Sequence, residues 1–284
     1  MKCYCGRNFS AEEQTKIVAL IKNNPTWKRA KLAREVCQLF AWYKADGGLK
    51  AMSCRVAMLR MHNDGLLCLP LPSHAKPIVR KPSKTTATDP LPIINKPVHQ
   101  LGQLQLRLIT SKNSRLWNEY IDRYHYLGYT PLPGAQLRYF VIMDEQVLAL
   151  LGFGASAWQI APRDKFIGWD REQRLRGLPL IVNNARFLIL PWVQSKNLAS
   201  KILAMVAYQL SADWFNRYKI RPVLMETFVE SARFKGTCYR AANWIHVGNT
   251  KGRGKLGPAG IQSVPIKDIL LYPLSRDFRS ILKQ

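Results

Sequence analysis

Apolar and polar residues follow patterns along the chain that predict an ordered series of strands and helices. An apolar run over 187–190, ended by Pro191, predicts a strand, and a helical pattern follows from Asn197 to about Tyr218. A second apolar run over 222–229 predicts another strand. Strand, helix and strand in this order predict a β-α-β unit, in which polar side chains gather at one end of the sheet.

The chain before and after this unit is also patterned as sheet and helix. Residues 104–109 alternate like a strand, and residues 114–127 have the period of a helix. Two apolar runs over 137–143 and 147–153, separated by a polar tripeptide, predict a hairpin. A last strand is predicted over 268–272. The fold class predicted for residues 99–284 is therefore α/β with a mixed sheet.

Residues 1–72 predict a separate helical module. Ser10 and Glu13 have the spacing of a capping box, so a first helix is predicted to begin there and run to about Lys22. Two further helices are predicted over 27–43 and 50–63. A short strand over 65–70 would follow as a wing, which makes the module similar to a winged helix-turn-helix.

The third predicted helix is the candidate DNA-reading element. Its apolar stripe is predicted to be Met52, Val56 and Leu59, which leaves basic side chains to face outward: Lys50, Arg55 and Arg60. A winged helix-turn-helix offers this helix to the major groove. The alternative is a three-helix bundle whose basic residues contact only solvent.

Residues 73–98 are predicted to be a linker. Five prolines stand there among Ser, Thr and Lys, a composition that favours extended, mobile chain. The predicted organisation is thus a helical module over 1–72, a Pro/Lys-rich linker over 73–98 and an α/β domain over 99–284.

Charge narrows the choice of partner. The chain has 43 basic and 18 acidic residues among 284, and the formal net charge is +25. A compact protein repels itself at that charge unless a polyanion offsets it, and nucleic acid is the commonest such partner. No apolar run approaches the roughly 20 residues of a membrane span, and the N-terminus lacks the apolar core of a signal peptide. We expect no membrane partner and a cytoplasmic location.

The order of predicted elements in residues 99–284 is similar to the GNAT N-acetyltransferase fold. In that fold a loop of pattern Gln/Arg-x-x-Gly-x-Gly/Ala opens the long helix and binds the pyrophosphate of coenzyme A. Gln194 and Ala199 match the pattern, but Asn197 replaces the first glycine. Glycine serves close approach of the backbone to phosphate, so the resemblance implies weakened coenzyme A binding. Tyr239 stands at about the place where the fold often has a tyrosine.

A second resemblance covers nearly the whole chain, and it is to the DruA family of the Druantia anti-phage defence system. Related domains accompany transposases in mobile elements. The resemblance implies a role in defence or in a mobile element. The motifs that carry it are Cys5-Gly-Arg-x-Phe9-Ser10, Lys50-x-Met52-x-Cys54-Arg55, Tyr126-Leu-Gly128, Phe166-Ile-Gly-Trp169, Asn184-x-Arg186, Leu224-x-Glu226-Thr-Phe228 and Gly236-Thr-Cys-Tyr-Arg-Ala-Ala-Asn-Trp244.

Three residues are candidates for a metal-dependent nuclease or transposase-like reaction. Glu226 lies within an apolar strand, where a carboxylate is costly to bury without a partner. Glu226, Asp164 and His125 offer the oxygen and imidazole ligands that suit Mg²⁺ or Mn²⁺ and phosphodiester cleavage. The alternatives are an ion pair of Glu226 with an arginine such as Arg186, a turn-forming Asp164 and a structural His125.

The segment after Glu226 contains a second group of candidates. Tyr239 is predicted as a general acid, or Tyr239 and Cys238 as nucleophiles, with Arg240 stabilising charge. The alternative is a Tyr239 that stacks on a base or packs under its turn. Glycines and cations alternate in a loop predicted to contact phosphate: Lys251, Arg253 and Lys255.

The sequence therefore predicts a DNA-binding protein of anti-phage defence or of a mobile element that cleaves or processes DNA. Its expected partners are DNA and other proteins of the same system. Two alternatives stay open, a GNAT-like group transferase acting on a nucleic acid and a non-catalytic DNA-recognition subunit. Four residues are candidates for catalysis, namely His125, Asp164, Glu226 and Tyr239, and Arg186 is a candidate for nucleic-acid contact.

Overall fold

The computed structural model describes residues 2–43, 47–72, 81–253 and 262–284. The chain divides into two compact units, Met1–Ile78 and Val79–Gln284. Within the described residues, every helix is too short or too polar to traverse a bilayer.

The first unit is a hairpin followed by three helices. β1 (Lys2–Tyr4) and β2 (Arg7–Phe9) pair antiparallel, and α1 (Ala11–Asn23), α2 (Arg29–Leu39) and α3 (Ala51–Asn63) follow. The predicted start of α1 is confirmed, since both hydrogen bonds of the capping box are present. Side chains from both strands, all three helices and the segment after α3 enclose one apolar core.

Two predictions for α3 and its wing are wrong. The buried face of α3 consists of Cys54, Ala57, Met58 and Met61, which have helical spacing, whereas Met52 is 67% exposed. Two apolar stripes compete on this helix, and the larger set packs into the core. The segment 65–70 is not a strand: it starts as a turn at Gly65, continues as a loop and places Leu67 and Leu69 in that core. A winged helix is therefore not confirmed.

The second unit contains a mixed seven-stranded sheet, which confirms the predicted α/β class. The strands are β3 (Gln105–Leu108), β4 (Gln136–Met143), β5 (Gln146–Ala155), β6 (Ile181–Ile189), β7 (Leu224–Glu230), β8 (Ile245–Asn249) and β9 (Lys267–Pro273). Their order across the sheet is β3-β4-β5-β6-β7-β9-β8. The helices are α4 (Ser114–Tyr124), α5 (Ala161–Ile167), α6 (Arg171–Gly177), α7 (Leu198–Tyr218), α8 (Thr237–Ala241) and α9 (Phe278–Leu282).

The predicted β-α-β unit is confirmed at the centre of this sheet. β6 and β7 are parallel, and the long helix α7 connects them. Their pairing begins at Ile181 with Leu224 and ends at Asn184 with Thr227, although both strands continue beyond those residues. The two strands therefore separate over their second halves, and a space opens between them.

A bulge in β6 lies at the point of separation. Gly152 of β5 faces Arg186, but the next residue, Phe153, faces Asn184. Ala185 is the extra residue, and an extra residue bends a strand and redirects its side chains. The run of apolar residues predicted only 187–190 as strand because the polar residues Asn183, Asn184 and Arg186 interrupt the pattern before it.

Part of the predicted linker belongs to the second unit and is hydrogen-bonded within it. Glu119 on α4 is buried, and its carboxylate accepts hydrogen bonds from the Thr85 N–H and from the hydroxyls of Thr85 and Thr88. Ile94 forms a parallel bridge with Val193. We name residues 85–98 the strap. Composition predicts mobile chain there, but the strap differs because α4 and the chain after β6 supply its hydrogen-bond partners.

Candidate functional site

A cavity of about 650 Å³ occupies the space between the separated ends of β6 and β7. The residues after α4 and the segment that includes α8 complete its walls. Its polar and charged lining residues are His125, Asn183, Asn184, Arg186, Thr227, Lys235, Thr237, Cys238 and Lys267. Three of them are cations, and the described residues that line the cavity include neither Asp nor Glu.

Arg186 is the charged group set deepest among these cations. One guanidinium nitrogen donates to the Ala185 carbonyl oxygen at 2.7 Å, while Nε is buried and has no hydrogen-bond partner. Burial lowers the pKa of Arg186 below its usual value. In the described part of the chain no carboxylate pairs with it, so the cavity contains a partly desolvated positive charge that an anion would neutralise.

His125 lies at the end of α4 and is 8% exposed. Its Nδ1 accepts a hydrogen bond from the Leu127 N–H at 3.2 Å, which leaves the ring proton on Nε2. Burial, with a smaller contribution from the Arg186 charge, lowers the pKa of His125 to about 4. The imidazole is therefore neutral at physiological pH and presents an N–H donor rather than a charge.

Asn184 and Tyr239 form a hydrogen-bonded pair beside the bulge. The Tyr239 hydroxyl donates to Asn184 Oδ1 at 2.8 Å, and the Asn184 amide donates to the Arg186 carbonyl at 3.1 Å. Burial raises the pKa of Tyr239 well above that of a free phenol. Because the hydroxyl is buried and already donates, Tyr239 orients Asn184 and is a weaker acid than an exposed tyrosine.

Aromatic side chains form the outer wall of the cavity. Tyr126 stacks on the His125 ring with centroids 4.8 Å apart and meets Phe234 edge-on at 5.2 Å. Arg233 lies over the outer side of Tyr126 at 5.0 Å. Both aromatic rings remain partly exposed, Tyr126 by 39% and Phe234 by 44%, so they offer apolar surface at the entrance.

The three candidate metal ligands do not form one cluster in the described part of the chain. Glu226 is fully buried in an ion pair with Arg163, with Oε2 2.9 Å from a guanidinium nitrogen, and its Oε1 accepts from the Ala157 N–H at 2.7 Å. Asp164 pairs with the same Arg163 at 2.8 Å. His125 instead lines the cavity, which neither carboxylate reaches. No cluster suited to a metal ion occurs among the described residues.

The partner predicted for Glu226 is corrected at the same time. The arginine that pairs with it is Arg163 and not Arg186. Arg163 was missed because it lies in a short helix, α5, that the hydrophobic pattern does not reveal. The signal available in the sequence was the adjacent pair Arg163 and Asp164, but a neighbouring charge pair is common on surfaces.

The other predicted nucleophile, Cys238, lines the cavity but is poorly suited to that role. Burial raises the pKa of its thiol, and only a thiolate is an effective nucleophile. Lys235 and Lys267 were not predicted, although both line the cavity. Lys235 adjoins the predicted turn, whereas Lys267 is brought there only because β9 pairs with β7.

The remaining predicted DNA contacts lie outside the cavity lining. Arg55 and Arg60 are exposed on α3, and Lys50 precedes that helix and is half-buried. Arg240 is 57% exposed, and its guanidinium lies 3.9 Å from Asp268. Lys251 and Arg253 are exposed beyond β8. Lys255 lies outside the described residues.

The loop that opens α7 retains one feature of a phosphate loop and lacks another. Asn197 adopts φ +65°, the left-handed conformation that glycine ordinarily supplies, so the backbone turn is preserved. The strap, however, lies along the chain just before this turn. Gln194 donates its N–H to the Ile94 carbonyl oxygen at 2.9 Å, and Lys196 accepts from the Val98 N–H at 3.3 Å. The strap therefore engages one N–H donor of this loop, that of Gln194, whereas the Lys196 carbonyl is an acceptor and would not bind a phosphate.

The sheet order and the parallel pair around α7 define an α/β protein of acetyltransferase-like topology, as predicted. Solved structures with a related chain path include aminoglycoside acetyltransferase AAC(6')-Ib with coenzyme A, at 13% identity and a TM-score of 0.41, covering 64% of this chain and 100% of that one. An N-acetyltransferase from Staphylococcus aureus Mu50 is 10% identical, with a TM-score of 0.38 and coverages of 61% and 99%. At these identities the likeness concerns the fold alone.

The family assignment comes from the sequence. The family model described as Druantia protein DruA matches residues 61–263, which is most of the chain, so this chain belongs to the DruA family. The predicted resemblance is confirmed, and membership indicates a role in anti-phage defence. Among curated proteins no relative matched the chain.

Proposed function

We propose that this protein is a DNA-binding component of anti-phage defence. It recognises DNA, and Glu226 and Asp164 do not act as catalytic residues for DNA cleavage. The observation that carries the proposal is the cavity between β6 and β7, where Arg186, Lys235 and Lys267 meet no acidic lining residue in the described chain. Glu230 faces Lys267 across β7 and β9, but it lies 3.6 Å from Arg233 and outside the lining, so the lining itself has an excess of positive charge. Such an excess in a partly enclosed site favours a polyanionic ligand.

The charge of the whole chain supports the same partner. A net charge of +25 gives a sequence pI of about 10.1, which is the electrostatic footprint of nucleic-acid binding. Lys251 and Arg253 add exposed cations next to the sheet edge at β8. Contacts of such cations with DNA phosphates position a protein on the duplex and make its affinity depend on salt.

Recognition is favoured over cleavage because the candidate acids are already paired. Arg163 pairs with both Glu226 and Asp164, and Arg174 lies 3.6 Å from Asp164 as a second cation. Both carboxylates are therefore engaged, and Glu226 is also fully buried, so neither is free for a metal ion or water. A group-transfer reaction is less favoured because the strap engages the loop that opens α7. Binding of acetyl-coenzyme A, measured by calorimetry, would restore that alternative.

The proposal is tested by the salt dependence of binding to labelled duplex DNA. We expect log K to fall linearly with log salt for the wild-type protein. The double variant Lys251→Gln/Arg253→Gln is expected to reduce the slope by about 1.8, since each phosphate contact contributes about 0.9. Incubation with Mg²⁺ or Mn²⁺ is expected to leave the DNA intact.

The matched control is Arg107→Gln at β3, the opposite edge of the sheet. Arg107 forms a bidentate pair with Glu145, at 2.6 and 2.8 Å, so its charge is compensated and its loss is expected to leave the slope unchanged. A slope that responds equally to both substitutions, or cleaved DNA, contradicts the proposal.

A further inference from the structure

We infer that the cavity between β6 and β7 accepts a single unstacked nucleotide, with its base against Phe234 and its phosphate among the lining cations. This inference rests on the proposed function, because it names the form of DNA that the same site would select. It adds a preference for an unpaired or extrahelical base over a fully paired duplex.

Size supports one nucleotide rather than a strand or a duplex. The cavity volume of about 650 Å³ lies within the range of about 300–1,000 Å³ typical of sites for small ligands. A duplex cannot enter such a space, since its bases are enclosed in the stack. Proteins that examine a base in a pocket take it out of the duplex or use single-stranded substrate.

The distribution of charge and aromatic surface matches the two ends of a nucleotide. Arg186 lies inside without a carboxylate partner, while Lys235 is exposed at the entrance. Phe234 offers a partly exposed ring next to these cations, and the Tyr126 ring, which already contacts His125 and Arg233, meets Phe234 edge-on and holds it in place. Bases stack on aromatic side chains whatever their sequence, and cations attract the adjoining phosphate.

Polar groups of fixed direction complete the match. Nε2–H of His125 has no hydrogen-bond acceptor among the described residues, and the tautomer is set by the Leu127 N–H on the other nitrogen. This donor would suit an acceptor atom on a base edge. Asn184 is held by Tyr239 and by its own bond to the Arg186 carbonyl, so the bulge next to the guanidinium is rigid before any ligand arrives.

The test compares duplex DNA that is fully paired with the same duplex carrying one unpaired 2-aminopurine. We expect the wild-type protein to bind the second DNA more tightly and to change its fluorescence as the base leaves the stack. Tyr126→Leu/Phe234→Leu is expected to weaken that binding about ten-fold, a stacking loss of about 1.4 kcal/mol, and to weaken binding of paired duplex less, so that the preference for the unpaired base is lost.

Two controls separate the site from general effects. Tyr208→Leu removes an aromatic ring that is 93% exposed on α7 and outside the cavity lining, so both affinities are expected to persist. Arg186→Gln provides a second cavity variant, independent of the aromatic wall, and is also expected to lose the preference for the unpaired base. Unfolding curves establish that each variant is folded.

The outcomes distinguish this inference from the proposed function. Failure to bind any DNA overturns the proposed function. Equal affinity for paired and unpaired DNA, or a preference that survives all the cavity variants, overturns the inference alone. Displacement of the unpaired DNA by free coenzyme A at comparable concentration also overturns it, because the cavity would then serve a nucleotide cofactor.

Discussion

Two arginines lie within the second unit and differ in what balances their charge. Arg163 is fully buried and donates to Glu226, to Asp164 and to the Ala157 carbonyl. Arg186 is partly buried, donates to one carbonyl of its own strand and leaves Nε without a partner. The charge of Arg163 is balanced by two carboxylates, whereas no carboxylate among the described residues pairs with Arg186.

Comparing the two arginines shows that a buried charge is best interpreted as functional when the protein leaves it unpaired. A buried carboxylate such as Glu226 attracts attention in the sequence, but its partner removes it from chemistry and makes it part of the framework. Burying an unpaired cation costs stability, and such a cost persists where the group serves a ligand. The presence of a carboxylate partner, rather than the degree of burial, therefore distinguishes Arg163 from Arg186.

The largest expected change in stability comes from breaking the ion pair between Arg163 and Glu226. Glu226→Gln places an amide N–H₂ where a fully buried carboxylate accepts from Arg163 and from the Ala157 N–H, and it leaves Arg163 and Arg174 to share the one carboxylate of Asp164. We expect the free energy of unfolding to fall by about 3–5 kcal/mol. Chemical denaturation measures the loss, and DNA affinity of the folded protein is expected to stay unchanged.

An exposed pair provides the matched control for this substitution. Glu145→Gln removes the same group from a bidentate pair with Arg107, in which Glu145 is 77% exposed, and is expected to cost less than about 1 kcal/mol. A Glu226→Gln protein of normal stability that had lost DNA binding or defence would reverse the comparison and return Glu226 to the functional site.

The sequence predicted the frame of the fold better than its site. The β-α-β unit and the hairpin over 136–155 follow from apolar periodicity, which packing against one core enforces. Pairing between distant residues leaves no such pattern. Nothing in the chain order shows that Arg163 reaches Glu226 across 63 residues, or that Lys267 lines the same cavity as Arg186.

The candidate site was predicted in part for the same reason. Tyr239, His125 and Arg186 were each singled out by their residue type, and all three line the cavity. Asp164 and Glu226 were chosen on the same ground and lie elsewhere. Likewise, α3 carries two apolar stripes, and only the packing of the first unit decides that Cys54 and Met58 are inside.

A smaller effect is expected from substituting Arg186, the arginine without a carboxylate partner. Arg186→Met replaces the guanidinium by an apolar chain of similar length, so the desolvation of an unpaired charge is removed. We expect stability to be unchanged or raised by up to about 1 kcal/mol, and affinity for DNA with an unpaired base to fall about ten-fold. Thermal unfolding and fluorescence anisotropy measure the two effects on one preparation.

Arg138→Met is the matched control, because burial lowers the pKa of Arg138 as it does that of Arg186. Arg138 donates to Asn118 at 2.8 Å and to Ser114 at 2.9 Å, so its polar contacts are satisfied outside the cavity. Its loss is expected to lower stability and to spare DNA affinity. The same response from both arginines would remove the distinction between paired and open charges.

The smallest expected effect is on the pH dependence of stability, and it arises from His125, whose pKa the Arg186 charge lowers. His125 has a pKa of about 4 in the folded protein, lowered chiefly by burial and further by the Arg186 charge. The unfolded chain binds a proton near the ordinary pKa of about 6.5. The contribution of neutral His125 to stability is therefore fully present above about pH 6.5 and is lost as pH falls from there through the folded pKa.

Removing the Arg186 charge should narrow the pH range over which His125 affects stability, because the lower limit of that range, the folded pKa of His125, rises. In the Arg186→Met protein we expect the pKa of His125, followed by NMR titration of the imidazole, to rise above 4 but to stay below its ordinary value, since burial remains. The unfolding free energy should accordingly depend less on pH below 6.5 than in the wild type. An unchanged His125 titration would mean that the Arg186 charge is compensated after all, and the two arginines would no longer differ in kind.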